Sequence, residues 1–393
     1  MAGERKSRTI KVNYLARVEG EGAFTVRVKD GKVREAKLRI FEPPRFFEAF
    51  LRGRDYSEVP DLTARICGIC PVAYQMTACH AIEAAFGVKV DGPLRALRRL
   101  LYCGEWIESH ALHVFMLHTP DFLGYESAIH MAKDHPAIVE GALALKKVGN
   151  ELMDVVGGRS IHPVNVRVGG FHRVITREQL QPVAEKLEWA RDKCVESVRF
   201  LAGFEFPDFE RDYELVAMRH STEYAINEGQ LVSSAGLDVT PERYEEHFEE
   251  VHVRHSTALQ SRRIGRGSYL VGPLARFVIN HDRLSNLAQA EAARAGLTPA
   301  CRNPFKSILA RGIELLFACE EALSLIKAYH APDRPWVEVV PRAASGHAFT
   351  EAPRGTIFHR YRFDADGKVA DAKIVPPTSQ NQISMEEDLA AFV

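Results

Sequence analysis

The sequence predicts a mainly helical α+β protein, a core bundle of long helices flanked by small antiparallel sheets from the N- and C-terminal segments. Three observations carry this. Residues 24–41 and 356–375 each alternate apolar and polar side chains about an Asp-Gly pair. The stretch between them spaces its apolar residues three and four apart, the period of one helix face. No low-complexity linker divides the 393 residues.

The N-terminal sheet rests on Phe24-Thr25-Val26-Arg27-Val28, which alternates, and on residues 32–41, which alternate again. Asp30-Gly31 between them suits the tight turn of a hairpin, where positive φ is required. Helices are predicted over 70–86, 94–118, 137–156, 177–202 and 305–329, bounded by Gly87, Gly92-Pro93, Pro120, Gly157-Gly158 and Pro304. The C-terminal sheet repeats the hairpin grammar over 356–363 and 368–375, around Asp366-Gly367. Asp30-Gly31-Lys32-Val33 and Asp366-Gly367-Lys368-Val369 are the same run, for which shared turn chemistry is favoured over an internal repeat. Ser384-Met385-Glu386-Glu387 has the form of a capping box and predicts a helix start there. No glycine cap, basic last turn or proline stop follows before Val393, so the chain is expected to be cut within that helix. The expected organisation is a β-rich segment over 1–64, a helical core over 65–340 and a truncated β-rich segment over 341–393.

Composition narrows the function. Hydrophobic residues make up 46%, charged residues 26%, and the formal net charge is −1. That is a globular chain without the basic excess that nucleic acid or an anionic membrane demands. The apolar run over 111–117 is broken by His113 and falls short of a membrane span. The basic first residues lack the apolar core of a secretory signal, so a cytoplasmic location is expected. Seven cysteines, an odd number on a long chain, argue against a disulfide framework and leave thiols for metal or redox work.

One thiol pair stands out, in Arg65-Ile66-Cys67-Gly68-Ile69-Cys70 just before a predicted helix. Thiolates so spaced can face one soft ion, and a helix N-terminus lowers thiol pKa. Three readings compete: a redox pair, which lacks the βαβ setting of thioredoxin; half of a structural zinc site, which lacks a second pair; and a catalytic metal site completed from elsewhere. Cys79 lies nine residues after Cys70, on the opposite face of the helix. Cys103, Cys194, Cys301 and Cys319 sit singly in or beside apolar patterns and read as buried and inert. His110 and His113 are three apart on a predicted helix but lack a third donor, which favours packed histidines over ligands. Glu19 and Glu48, taken alone, would be solvated surface charges.

Several segments in a fixed order change that last reading. They are Arg17-Val18-Glu19-Gly20, Pro44-Arg45-Phe46-Phe47-Glu48, the thiol motif, Gly158-Arg159-Ser160-Ile161-His162-Pro163 with Val168-Gly169-Gly170, and Glu351-Ala352-Pro353-Arg354-Gly355. Together they resemble the large subunit of the [NiFe] hydrogenases, most closely the cytosolic, NAD(P)-linked sulfhydrogenase type. The resemblance implies the fold of that subunit and reversible heterolytic cleavage of dihydrogen, with sulfur or polysulfide reduction as a side activity. It implies nickel held by two Cys-x-x-Cys pairs, with Cys67 as a terminal ligand and Cys70 bridging to an iron that carries carbon monoxide and cyanide. It makes Glu19 the carboxylate that passes protons, Glu48 a magnesium ligand, Arg354 the guanidinium over the open metal site, and Pro353 a wall of the pocket for the iron diatomics. It implies an iron–sulfur small subunit as partner, with FAD and NAD(P) in further subunits. This chain has no Gly-x-Gly-x-x-Gly unit of its own.

Two features depart from the family's pattern. The second motif, Asp-Pro-Cys-x-x-Cys near the C-terminus, is absent, and it is expected to lie beyond Val393. Tyr74 stands where the family often has His. A nickel-free electron-transfer relative of respiratory complex I, or a structural subunit of the same fold, is the alternative, and retention of Cys67 and Cys70 speaks against it.

Overall fold

A computed structural model describes residues 7–16, 20–42 and 44–392. At the N-terminus β1 (Ser7–Val12), β2 (Glu21–Lys29) and β3 (Lys32–Phe41) form an antiparallel sheet in that order. Lys29 pairs with Lys32. Asp30 and Gly31 between them take φ of +54° and +72°, the doubly left-handed turn that the Asp-Gly pair foretells.

The helices follow. Among them are α1 (Pro44–Leu51), α2 (Pro71–Phe86), α3 (Gly92–Leu112), α4 (Pro136–Gly157), α5 (Arg177–Ala202), α6 (Pro273–Asn280), α7 (Ser307–Ala328) and α8 (Pro377–Phe392), with further helices such as Asn286–Arg294 between them. The five long helices expected from the apolar period all form. One runs on differently: the stretch predicted as a single helix over 94–118 changes to a π-helix over His113–His118.

Small residues set how closely the helices pack. A Cβ on Gly149 of α4 would come within 2.7 Å of Gly104 O on α3, so these two backbones touch where they cross. Gly312 of α7 meets Leu201 and Val198 of α5, and on the same pair of helices Cys194 Sγ lies 3.9 Å from Cys319 Sγ. Both cysteines are buried, as are Cys79, Cys103 and Cys301.

Three strands, β4 (Ala344–Ala352), β5 (Gly355–Phe363) and β6 (Val369–Val375), make the C-terminal antiparallel sheet. It lies against α2, where a side chain on Gly346 would overlap Ala81 O. One apolar core runs from Leu51 through the long helices to Ile374. Smaller strand pairings, such as Phe248–Val251 with Gln260–Arg263, occur within residues 65–340.

The last helix corrects the capping-box reading. It begins at Pro377, and Ser384 lies in its middle. Ser384 Oγ donates to Tyr269 O at 2.9 Å, while Glu387 accepts from Arg211 at 2.6 Å. These polar groups make tertiary contacts, so no free helix amide is left for them to cap.

Candidate metal centre

The thiol pair lies in the short link between the Val59–Ala64 helix and α2. Pro71 opens α2, as suits the first helical position, and Cys70 takes the N-cap position with φ −120° and ψ 42°. The Cys70 side chain caps nothing in that helix. A carboxylate from α3 does so instead. Glu105, wholly buried, accepts from Val72 N at 2.6 Å and from Ala73 N at 3.3 Å. Burial pushes its carboxyl well above the ordinary range, although the two amides work against this. Residues 71–73 are thereby tied to the helix behind them.

Cys67 and Cys70 come together with their Cα atoms 5.4 Å apart and their sulfurs bonded as a disulfide. Cys70 N also donates toward Cys67 Sγ at 3.1 Å. In this form the sulfurs stand in for thiolates. Two electrons and two protons convert the bond to a pair of thiols, and loss of the protons gives two soft donors side by side.

Arg354 reaches them from the opposite wall. Ala352 pairs with Gly355, which makes Pro353-Arg354 the two-residue tip of the β4–β5 hairpin. From this tip Arg354 Nη2 lies 3.3 Å from Cys67 Sγ and 3.4 Å from Cys70 Sγ. A guanidinium so placed favours thiolate over thiol. Pro353 is buried beside it. Arg354 lies 287 and 284 positions from Cys67 and Cys70 in sequence, and the three form one site.

Glu48 occupies a separate locus. It projects from α1, is 6% exposed, and accepts from Ile374 N of β6 at 3.0 Å. Burial raises its pKa, although that amide and Arg45 lower it. Glu250 lies near enough for Glu48 to raise its pKa too; burial dominates and brings it to about 7. Oε1 of Glu250 accepts from Ser379 Oγ at 2.8 Å, while its buried Oε2 has no partner. Glu250 Oε2 is the kind of hard oxygen a magnesium ion would use, while Glu48 Oε2 already lies 3.6 Å from Arg45 Nη1. Glu19 lies outside the described residues.

The other notable polar residues find partners among their neighbours. His110 is buried with Nε2 3.0 Å from Glu314 Oε2, and burial carries its pKa down to about 4. Arg65 Nη1 donates to His162 Nδ1 at 3.1 Å and so faces the 158–163 loop. The Tyr74 ring packs 5.9 Å from that of His359.

The structure also shows what the site leaves unsatisfied. Arg311 on α7 is 8% exposed, and its buried Nε has no hydrogen-bond partner. Burial lowers its pKa, and the charge of Arg354 lowers it further. His113, whose Nδ1 is likewise buried without a partner, is pushed well down by burial and then by Arg311 and Arg354. Arg354 against the two sulfurs, with Arg311 and His113 near enough to feel its charge, makes a donor-rich setting that fits an anionic metal–thiolate centre with acceptor ligands. The residues present supply half of the sulfur donors that the sequence motifs imply. Among the described residues no cluster of three or more His, Cys, Asp or Glu could hold a metal alone.

Nothing in the sequence marks Glu105, Arg276, Glu314 or Glu351 as a set. Glu351 is legible only as the first residue of its motif, and Glu105, Arg276 and Glu314 sit in mostly apolar helical stretches. The one available signal is that three of them would otherwise be uncompensated charges on helices that are buried on nearly every side.

Comparison with known proteins identifies the family. Residues 45–140 match the nickel-dependent hydrogenase family. Sulfhydrogenase 1 subunit alpha of Pyrococcus furiosus is 34% identical over 96% of this chain and 89% of its own length. The NAD-reducing hydrogenase HoxS subunit beta of Cupriavidus necator is 27% identical over 95% of this chain and 86% of its own. Among solved structures, an NAD+-reducing [NiFe]-hydrogenase in the H2-reduced state superposes with a TM-score of 0.87 at 26% identity, covering 97% of this chain and 91% of that one. The chain belongs to the nickel-dependent hydrogenase large-subunit family, and its fold is the one those subunits share.

Proposed function

We propose, from that membership, that this chain is the catalytic large subunit of a [NiFe] hydrogenase. It would cleave dihydrogen heterolytically and reversibly and pass electrons to an iron–sulfur small subunit and ultimately to NAD(P). The observation that carries this is the contact of one guanidinium, that of Arg354, with both sulfurs of Cys67 and Cys70.

Heterolytic cleavage parts a hydride from a proton and needs a Lewis acid beside a base. A nickel–iron centre, when bound, would supply the Lewis acid. Cys67 and Cys70 would hold it as thiolates, with further sulfur donors coming from outside this sequence. Arginine is a poor base, so Arg354 acts through its charge, holding the sulfurs in their anionic form and keeping a donor over the reacting volume. Pro353 walls the pocket for the carbon monoxide and cyanide on iron. Glu19 carries protons away, which requires only hydrogen-bond reach. Glu48, with Glu250 nearby, supplies oxygens to magnesium.

The alpha- and beta-subunit names of the relatives support a multisubunit assembly, and iron–sulfur, FAD and NAD(P) partners are part of the proposal. No helix among the described residues is long and apolar enough to cross a membrane. A cytoplasmic location is part of the same proposal.

Metal analysis of the intact native complex tests the reading. Stoichiometric nickel and iron with dihydrogen-dependent NAD(P) reduction are expected, and Arg354→Lys, which loses the planar fork, should lower turnover about 10²-fold. Absence of both metals from the intact complex would overturn it. Quinone-linked electron transfer would then single out the complex I-like alternative.

A further inference from the structure

Arg276 lies in the first turns of α6 and has no exposed surface. All of its N–H groups are engaged. Nε and Nη2 donate to the two oxygens of Glu314, each at 2.7 Å, and Nη1 donates to Glu351 Oε2 at 3.1 Å. The two remaining donors go to main chain. Nη1 meets Ala352 O at 2.8 Å and Nη2 meets Pro353 O at 2.8 Å.

Those carbonyls belong to the two residues directly before Arg354. Pro353 has no N–H, so hydrogen bonds can fix this peptide only through its oxygen. The same helix start touches the tip once more, because a Cβ on Gly272 would lie 2.7 Å from Arg354 O. Gly272 and Arg276 are joined by the bond from Arg276 N to Gly272 O at 2.9 Å. They therefore grip the hairpin tip as one body.

The grip is itself braced. The guanidinium lies 4.6 Å over the Trp106 ring, and Trp106 Nε1 donates to Glu351 O at 3.2 Å. Glu314 Oε1 also accepts from Tyr224 Oη at 2.8 Å. Glu351 Oε1 accepts from Met218 N at 2.8 Å and Thr356 Oγ1 at 2.7 Å.

We infer that Arg276 is a positioning residue, whose fork onto Ala352 O and Pro353 O aims the Arg354 guanidinium at the sulfurs of Cys67 and Cys70. A lysine could not replace it, since one ammonium cannot serve four acceptor groups in a plane. The inference rests on the reading that Arg354 and the thiol pair form the reacting site. Its test requires neither metal nor turnover.

The test is the rate at which iodoacetamide alkylates Cys67 and Cys70 in the reduced, metal-free full chain at neutral pH, resolved by peptide mass spectrometry. A guanidinium in contact with a thiol raises its thiolate fraction. Arg354→Gln should slow alkylation about tenfold, the equivalent of one pH unit in thiol acidity. Arg276→Gln should slow it to the same extent, and the double variant should be no slower than either alone, because both act through one contact. Arg276→Lys, a milder change should the glutamine variant not fold, is expected to fall short of the wild-type rate. A folded Arg276 variant that reacts at the wild-type rate, while Arg354→Gln reacts slowly, would show a role in stability alone and overturn the inference. So would an unchanged rate in Arg354→Gln. Lack of nickel or of hydrogen turnover would instead overturn the proposed function and leave these rates untouched.

Discussion

The hairpin over residues 21–41 and the one over residues 355–375 carry the same run, Asp-Gly-Lys-Val, at their turns. The first lies open: in β3 only Leu38 is buried. The second is enclosed, with β5 buried at every position except Arg360 and Arg362. Gly31 has nothing within 4 Å of where a Cβ would stand, whereas a Cβ on Gly367 would come within 2.6 Å of Pro341 and 3.1 Å of Tyr56. The turns differ too. Asp30 and Gly31 are both left-handed, while the second loop closes through Asp364 N to Lys368 O at 3.0 Å and only Gly367 has positive φ. Local chemistry thus ordains a reversal of the chain, and tertiary surroundings decide whether that reversal is surface or framework. The framework hairpin is the one whose far end carries Arg354.

The contrast can be broken at several points. Phe363 is 3% exposed and Phe41 is 62% exposed. Phe363→Ala should cost about 3–5 kcal/mol and Phe41→Ala no more than about 0.5, read as unfolding midpoints in denaturant. Equal losses would mean that the first sheet is as enclosed as the second in solution. The glycines give a finer comparison, since both have positive φ. Gly31→Ala should show only the left-handed penalty, about 1 kcal/mol, and Gly367→Ala the same penalty plus about 1–3 kcal/mol of overpacking.

A third measurement uses acid. His359, on β5, has no exposed surface, and burial takes its pKa from 6.5 to about 3. Between those values the unfolded chain binds a proton that the native chain excludes, so stability is lost as pH falls from 6.5 toward 3. This one group adds a slope of about 1.4 kcal/mol per pH unit. His359→Asn, which keeps an acceptor for the Tyr361 hydroxyl, should flatten the fall of the thermal midpoint over that range. An unchanged slope would assign the acid sensitivity to other groups, such as His110.

Much of this structure can be read from residues alone. Asp30-Gly31 marks its turn because few residue pairs tolerate two positive φ values, and the long helices show through their apolar period. Cys67, Cys70 and Arg354 were legible as members of motifs, and folding brings them together. Glu48 was legible in the same way, but it lies apart from the thiols. What stayed hidden depends on partners far away. Arg276 and Glu314 are 38 residues apart and Arg276 and Glu351 are 75 apart, so neither pair has a local signal. The start of α8 was missed for a related reason. Gln380, Gln382 and Ser384 are buried polar residues that serve Thr356 O, Leu259 O and Tyr269 O, so the helix shows no apolar stripe and Ser384 passes for a cap.

That helix has a consequence for how the molecule is made. Its side chains hold Leu38 N through Glu386, both backbone groups of Val271 through Asn381, and Thr356 O through Gln380. The first of these joins residues 348 positions apart. A nascent chain leaving the ribosome must therefore carry its opening sheet without this partner until residues 377–392 have been translated. Residues 377–392 act as a latch, which joins the opening sheet, the approach to α6 and β5 only when they dock.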